Sequence, residues 1–215
     1  MKYLMVYQKY SIQFYPQKEL TPYEKYSVGR TTADNHPYIG FDPSLNFIGR
    51  QHGAITSIHN RLYYSVGFNL APTLFNNQKI RTGIFPLESG KNLTNVFTIK
   101  ETKYPQAFIF TSDHADWDLC RLRKKDIKIG NLAGNNDIVL EDELEKIAVF
   151  QFVGNQYYLV ISEPAKDSFF QINDDNFVEN ISENICVDKE KTYRFVYKKR
   201  YMFIVGGPVI LYGKI

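Results

Sequence analysis

Along most of the chain, apolar and polar positions alternate over short runs, and they almost never recur at the spacing of a helix face. Such runs return roughly every 8 to 12 residues with turn residues between them, the rhythm of a sandwich or barrel. Tyr3 to Tyr7 and Ser11 to Tyr15 read as a first hairpin, and Val96 to Lys100 and Ala107 to Thr111 as later strands. Arg194 to Tyr197, Met202 to Val205 and Val209 to Tyr212 read as the closing strands, with Gly206-Gly207-Pro208 as a hairpin turn. Only Glu141 to Ile147 offers a helix, of one or two turns. The pattern predicts an all-β chain.

The clearest hairpin runs from Val149 to Ile161, two apolar stretches joined by Gly154-Asn155. A two-residue turn of that composition supplies the positive φ that a tight hairpin needs. Ala54 to Val66 repeats the arrangement around His59-Asn60. A shift of 94 places Ala54 on Ala148, Tyr63-Tyr64 on Tyr157-Tyr158 and Val66 on Val160. Upstream, Val28-Gly29-Arg30 and Tyr38 to Asp42 find counterparts in Ile129-Gly130-Asn131 and Asn136 to Leu140. Downstream, Phe75-Asn76 pairs with Ile172-Asn173. Two copies of one β unit account for these matches, with loop insertions shifting the offset. Glu101 to Pro105 breaks the strand pattern, so the units are expected at 1–102 and 103–215.

Composition supports this reading: 16 Tyr and 16 Phe suit pleated, half-buried surfaces. A net charge of +3 is too balanced for a strong nucleic-acid footprint, although Arg121 to Lys125 and Lys198 to Arg200 form local basic runs. Phosphates or an anionic membrane surface could meet those runs; solvated strand ends are the simpler reading. Two cysteines, Cys120 and Cys186, make no disulfide framework. The apolar start is short and interrupted by Tyr, Gln and Lys, unlike a signal peptide, and no run spans a bilayer. Cytoplasm is the expected location, with the sequons at Asn92 and Asn180 unused.

The order Gly29-Arg30, a strand leading to Asp42, Arg50-Gln51-His52-Gly53-Ala54-Ile55 and then Thr73 to Ile80 resembles a forkhead-associated (FHA) domain. The family carries Gly-Arg, Ser-Arg-x-His and Asn-Gly-Thr-x-x-Asn-Gly segments on an eleven-stranded β-sandwich. The resemblance covers most of residues 1–100 and reaches the second, degenerate copy only through Ile129-Gly130, Asn136 to Ile138, the hairpin and Ile172-Asn173. It implies two consecutive FHA-like sandwiches and a loop end that grips a phosphothreonine peptide. Arg30 and Arg50 match the two arginines that would bond the phosphate, His52 and Gly29 the architectural histidine and glycine, and Asn76 a loop residue.

The departures are specific. Gly49 stands where the family has serine, and Ala71-Pro72 where it has Asn-Gly, leaving Asn69 and Ser44 as the nearest substitutes. Asn131 replaces the arginine of the second copy, and Leu144 to Ile147 keep neither Ser nor His. Phosphothreonine binding is therefore expected to be weakened or lost, and the partner to be a protein. A narrower resemblance, on layout, is to the cytosolic amino-terminal region of the membrane ATPases of type VII secretion. That implies a partner within the secretion machinery, on the cytosolic face of the cell membrane.

Candidate chemistry is otherwise sparse. His36, His52, His59 and His114 show no metal-ligand spacing. His114-Ala115-Asp116 near Cys120 is the one conceivable nucleophile pairing, and a polar linker is the simpler account. No nucleophile elbow or phosphate-cradling glycine loop occurs. The sequence predicts no enzyme, no cofactor, no nucleic acid and no membrane contact within this segment.

Overall fold

The computed structural model describes residues 2–66, 73–75, 78–89, 93–97, 107–162, 169–172, 178–179, 184–187, 192–206 and 209–215. Among the described residues the chain is all-β, apart from single 3-10 turns at Gln17–Glu19 and Leu132–Gly134. It divides into two compact units, residues 1–117 with 214–215, and residues 118–213.

The first unit contains β1 (Tyr3–Gln8), β2 (Ser11–Pro16), β3 (Lys25–Arg30), β4 (Ile39–Phe41), β5 (Gly53–Ile58), β6 (Arg61–Val66), β7 (Thr73–Phe75), β8 (Gln78–Ile80), β9 (Gly83–Leu87), β10 (Leu93–Phe97) and β11 (Ala107–Ser112). They form a six-stranded sheet, β2-β1-β11-β10-β7-β8, and a five-stranded sheet, β4-β3-β5-β6-β9. Leu4, Val6 and Ile109 of the one sheet pack with Val28, Ile39, Ile55, Leu62 and Tyr64 of the other, all fully buried or nearly so. Among the described residues this is a two-sheet β-sandwich of eleven strands, the number the resemblance implies.

Strand β11 lies beyond the boundary expected between residues 102 and 103. It sits between β1 and β10, pairing Val6 with Ile109, and every one of its residues is buried, as only a central strand allows. The first unit therefore extends past residue 102. Strand β10 begins at Leu93, earlier than the run at Val96 to Lys100 suggests.

The second unit contains β12 (Asp118–Arg121), β13 (Ile127–Gly130), β14 (Ile138–Val139), β15 (Ala148–Val153), β16 (Gln156–Ile161), β17 (Phe169–Ile172), β18 (Val178–Glu179), β19 (Ile185–Val187), β20 (Thr192–Tyr197), β21 (Tyr201–Gly206) and β22 (Val209–Lys214). Its sheets run β12-β22-β21-β20-β17-β18 and β14-β13-β15-β16-β19. The five-stranded sheet repeats the first unit's strand for strand. The six-stranded sheet repeats it as a circular permutation: the last strand, β22, takes the place that β1 takes in the first unit, and β12 takes the edge position of β2.

Among the described residues four hairpins turn on pairs of left-handed residues, Lys9-Tyr10, His59-Asn60, Gly154-Asn155 and Lys198-Lys199, with φ between 42° and 71°. This type I′ geometry matches the twist of the strands it joins. The two long hairpins superpose with a shift of 95, not 94, because Ile58 faces Arg61 across its turn as Val153 faces Gln156. Tyr63 thus matches Tyr158, and Leu62 matches Tyr157. Burial agrees: Leu62 and Tyr157 face the core, while Tyr63 and Tyr158 are half-buried. Aligning the tyrosine doublets slips the register by one residue and turns every side chain to the wrong face.

Glu141 to Ile147 is not helical. Asp142 Oδ1 accepts the Leu144 N–H at 3.0 Å, a local bond that competes with helix formation. Lys198 Nζ bonds the same carboxylate at 2.8 Å, and Arg200 bonds Glu141 at 2.9 Å, so this loop is fastened to the β20–β21 turn. Both cysteines are free.

Candidate partner-binding site

At the loop end of the first unit, β3 runs into its neighbours so closely that a Cβ on Gly29 would fall on the Arg50 carbonyl oxygen. Only glycine permits that approach. The Arg30 N–H donates to the Gly49 carbonyl at 3.0 Å, and the His52 N–H to that of Val28 at 2.8 Å. Asn35 closes the arrangement, its Nδ2 donating to the carbonyls of Arg30 (3.1 Å) and Arg50 (2.9 Å). Arg30 and Arg50 are thereby held on one loop end.

His52 is fully buried. The Gly49 N–H donates to its Nδ1 at 3.2 Å, which leaves Nε2 as the protonated nitrogen facing Thr73 Oγ1 at 2.9 Å. The ring pins the β4–β5 loop to β7 and is inaccessible to a partner. Asn69 and Asn76 lie outside the described residues.

The two guanidinium groups are only partly available. Arg30 Nε donates to the Ile48 carbonyl at 3.2 Å and Nη1 to the Pro43 carbonyl at 3.4 Å. Arg50 is exposed and pairs with Asp34 at 3.2 Å. The Thr32 hydroxyl, the Asp34 backbone N–H and then the Arg50 charge hold the Asp34 carboxyl below its usual range. Ser44 is drawn toward Asp42, donating its N–H at 2.8 Å. Asp42 also binds Lys9 at 2.6 Å, and bonds from Lys9 first and Ser44 next pull its pKa down to about 2. Together these residues form a hydrogen-bonded loop end that presents two exposed cations, Arg50 beside Asp34 and Lys9 beside Asp42.

The second unit repeats the scaffold without the cations. A Cβ on Gly130 would meet the Glu145 carbonyl; the Asn131 N–H donates to Leu144 at 3.0 Å and the Ile147 N–H to Ile129 at 2.8 Å. Asn136 repeats Asn35, with Nδ2 donating to the carbonyls of Asn131 and Glu145, each at 2.8 Å. Asn131, at the position of Arg30, turns inward to accept the Ala133 and Gly134 N–H groups and to donate to the Glu143 carbonyl. Buried Ile147 stands in place of His52. Sequence reading missed Asn35 and Asp34; the signal for the first was an asparagine five residues after Arg30 and again five after Asn131.

Among the described residues no three His, Cys, Asp or Glu side chains are grouped to hold a metal ion, and no helix is long and apolar enough to cross a membrane. No family model matches the chain, and no curated protein matches it. Among solved structures, the chain is similar to one described as the N-terminal FHA domain from EssC, a component of the bacterial type VII secretion apparatus. The identity is 13% and the TM-score 0.34, over 99% of this chain and 91% of that one.

Proposed function

We propose that this chain is a non-catalytic protein-interaction module of two FHA-like units, whose first unit meets its partner on the loop end carrying Arg30 and Arg50. The observation that carries this reading is the rigid frame built by Gly29, Asn35 and His52 around cations already committed elsewhere, Arg30 to two carbonyls and Arg50 to Asp34. A frame of that kind holds a recognition surface, while the internal partners and the missing hydroxyl at Gly49 lower the gain from a phosphate. The tandem layout supports placing the chain at the cytosolic amino-terminal side of a type VII secretion ATPase. Its partner is then another component or regulator of that machinery.

A second reading keeps phosphothreonine recognition in kinase signalling. It is favoured by the exposure of the Arg50–Asp34 pair, in which an incoming phosphate could displace the carboxylate at little cost. Titrating the chain with a phosphothreonine peptide library and its unphosphorylated copies separates the two. We expect no phosphate-dependent binding. Micromolar phosphate-dependent binding that Arg30→Ala abolishes would make the first unit a working phosphopeptide reader.

A further inference from the structure

The edge of each sandwich, where the end of the six-stranded sheet faces β3 and β4 or their counterparts, is filled differently in the two units. In the first, Tyr26 and Tyr38 lie 4.5 Å apart between ring centroids, and Tyr15 of the edge strand β2 lies 5.9 Å from Tyr38. Tyr15 and Tyr26 pack on the core. The strand ladders identify the second unit's equivalents. Tyr26 pairs with Ile55 as Ile127 pairs with Phe150, and Tyr38 precedes Ile39, the partner of Val28, as Asp137 precedes Ile138, the partner of Ile129. Ile127 and Asp137 thus occupy the positions of two tyrosines, and β12 supplies Cys120 where β2 supplies aromatic side chains.

The exchange leaves a cleft of about 580 Å³ within the second unit, lined by Cys120, Arg121, Arg123, Lys125, Ile127 and Asp137 among others. That volume falls within the range of small-molecule sites, about 300–1,000 Å³. Its two carboxylates are already engaged. Asp137 accepts from Lys125 Nζ at 2.8 Å and from the Lys128 N–H at 3.0 Å, and Asp118 accepts from the Tyr212 hydroxyl at 3.2 Å. Arg123 has no hydrogen bond or ion pair among the described residues. Burial, reinforced by Asp137, raises the Cys120 thiol pKa, so at neutral pH the wall it forms is uncharged.

We propose that this cleft binds a small aromatic acid, a ring carrying a carboxylate or a phosphate. The ring lies against half-buried Cys120 and Tyr212, over the buried Ile127, where the first unit keeps its own tyrosine rings, and the oxyanion faces Arg123, with Arg121 and Lys125 adding positive potential. Neither half suffices: an apolar ring leaves Arg123 solvated as before, and a bare oxyanion leaves the half-buried Cys120 and Tyr212 in contact with water.

The test uses the whole chain and four probes: phenyl phosphate, benzoate, phenol and inorganic phosphate. Alkylation of Cys120 by a maleimide is followed by peptide mapping, with exposed Cys186 as the internal control. The expected result is that phenyl phosphate or benzoate at roughly four times its Kd slows Cys120 alkylation roughly fivefold and leaves Cys186 unchanged. Phenol and inorganic phosphate should bind more weakly than the combined probe. Arg123→Gln, at an exposed position, should weaken the aromatic acids roughly tenfold or more while the melting temperature stays the same. Ile127→Tyr, which refills the cleft as in the first unit, should abolish protection. Equal protection by phenyl phosphate and inorganic phosphate would mean an adventitious ion only and would overturn the proposal. So would undiminished binding in a folded Arg123→Gln protein, or no protection by any probe. None of these outcomes depends on the Arg30 loop end, so the two tests fail separately.

Discussion

The roles of single residues emerge most clearly where the two units differ at one position. His52 and Ile147 occupy the same place, both fully buried; the first satisfies a loop N–H and a threonine hydroxyl, and the second offers no polar group at all. Removing a buried hydrogen bond from both ends can be nearly neutral, whereas removing one end is costly. The architectural role of the histidine was legible through the family resemblance alone. The fate of the cations was not, because the carbonyls of Pro43 and Ile48 and the carboxylate of Asp34 come together only in the folded loops. The Lys9–Asp42 pair gives a pH prediction. The Asp42 carboxyl is depressed from 3.8 to about 2, so its contribution is complete above pH 4 and is lost as pH falls through 2. Asp42→Asn should lower stability at pH 7 by about 1 kcal/mol or less, since the carboxylate is partly exposed and screened. The difference from the native chain should close between pH 4 and 2 in denaturant titrations.

Strands and turns were legible wherever the turn chemistry was local. Gly154-Asn155 and His59-Asn60 sit at the hairpin tips, and their positive φ values account for the choice of residue. The register between copies was less legible, because Tyr63-Tyr64 and Tyr157-Tyr158 look alike in sequence while occupying positions one residue apart. The loop at Glu141 to Ile147 misled for a related reason. Its Glu, Leu and Lys favour a helix in isolation, but Lys198 and Arg200, far along the chain, claim its carboxylates. Gly154 gives the prediction at this scale. A Cβ there would meet no atom within 4 Å, so the cost of Gly154→Ala comes from backbone strain at φ 56° alone. A loss of about 1–2 kcal/mol is expected, measured as a shift of the denaturation midpoint at unchanged slope.

At the scale of the whole molecule, two units were readable from the repeat, but their connectivity was not. Sequence similarity places matched segments in one order, whereas β22 completes the second unit from its far end and β11 stays with the first. Both strands look like ordinary apolar runs, and only pairing partners distinguish them. Ile210, in the middle of β22, is fully buried in the second core. Ile210→Asp places an unpaired charge there and should unfold the second unit while sparing the first. Hydrogen exchange should then show lost protection in β13, β15 and β16 and retained protection in β3, β5 and β6. The permutation also orders events in time. On the ribosome the first unit has every strand it needs once residue 112 has emerged, but the second cannot close its sheet before β22 is made. At ordinary rates of synthesis that interval lasts about 5–20 s. For most of that time β12 waits without the strand that joins it to β21, and the nascent chain carries one finished unit ahead of one that is still open.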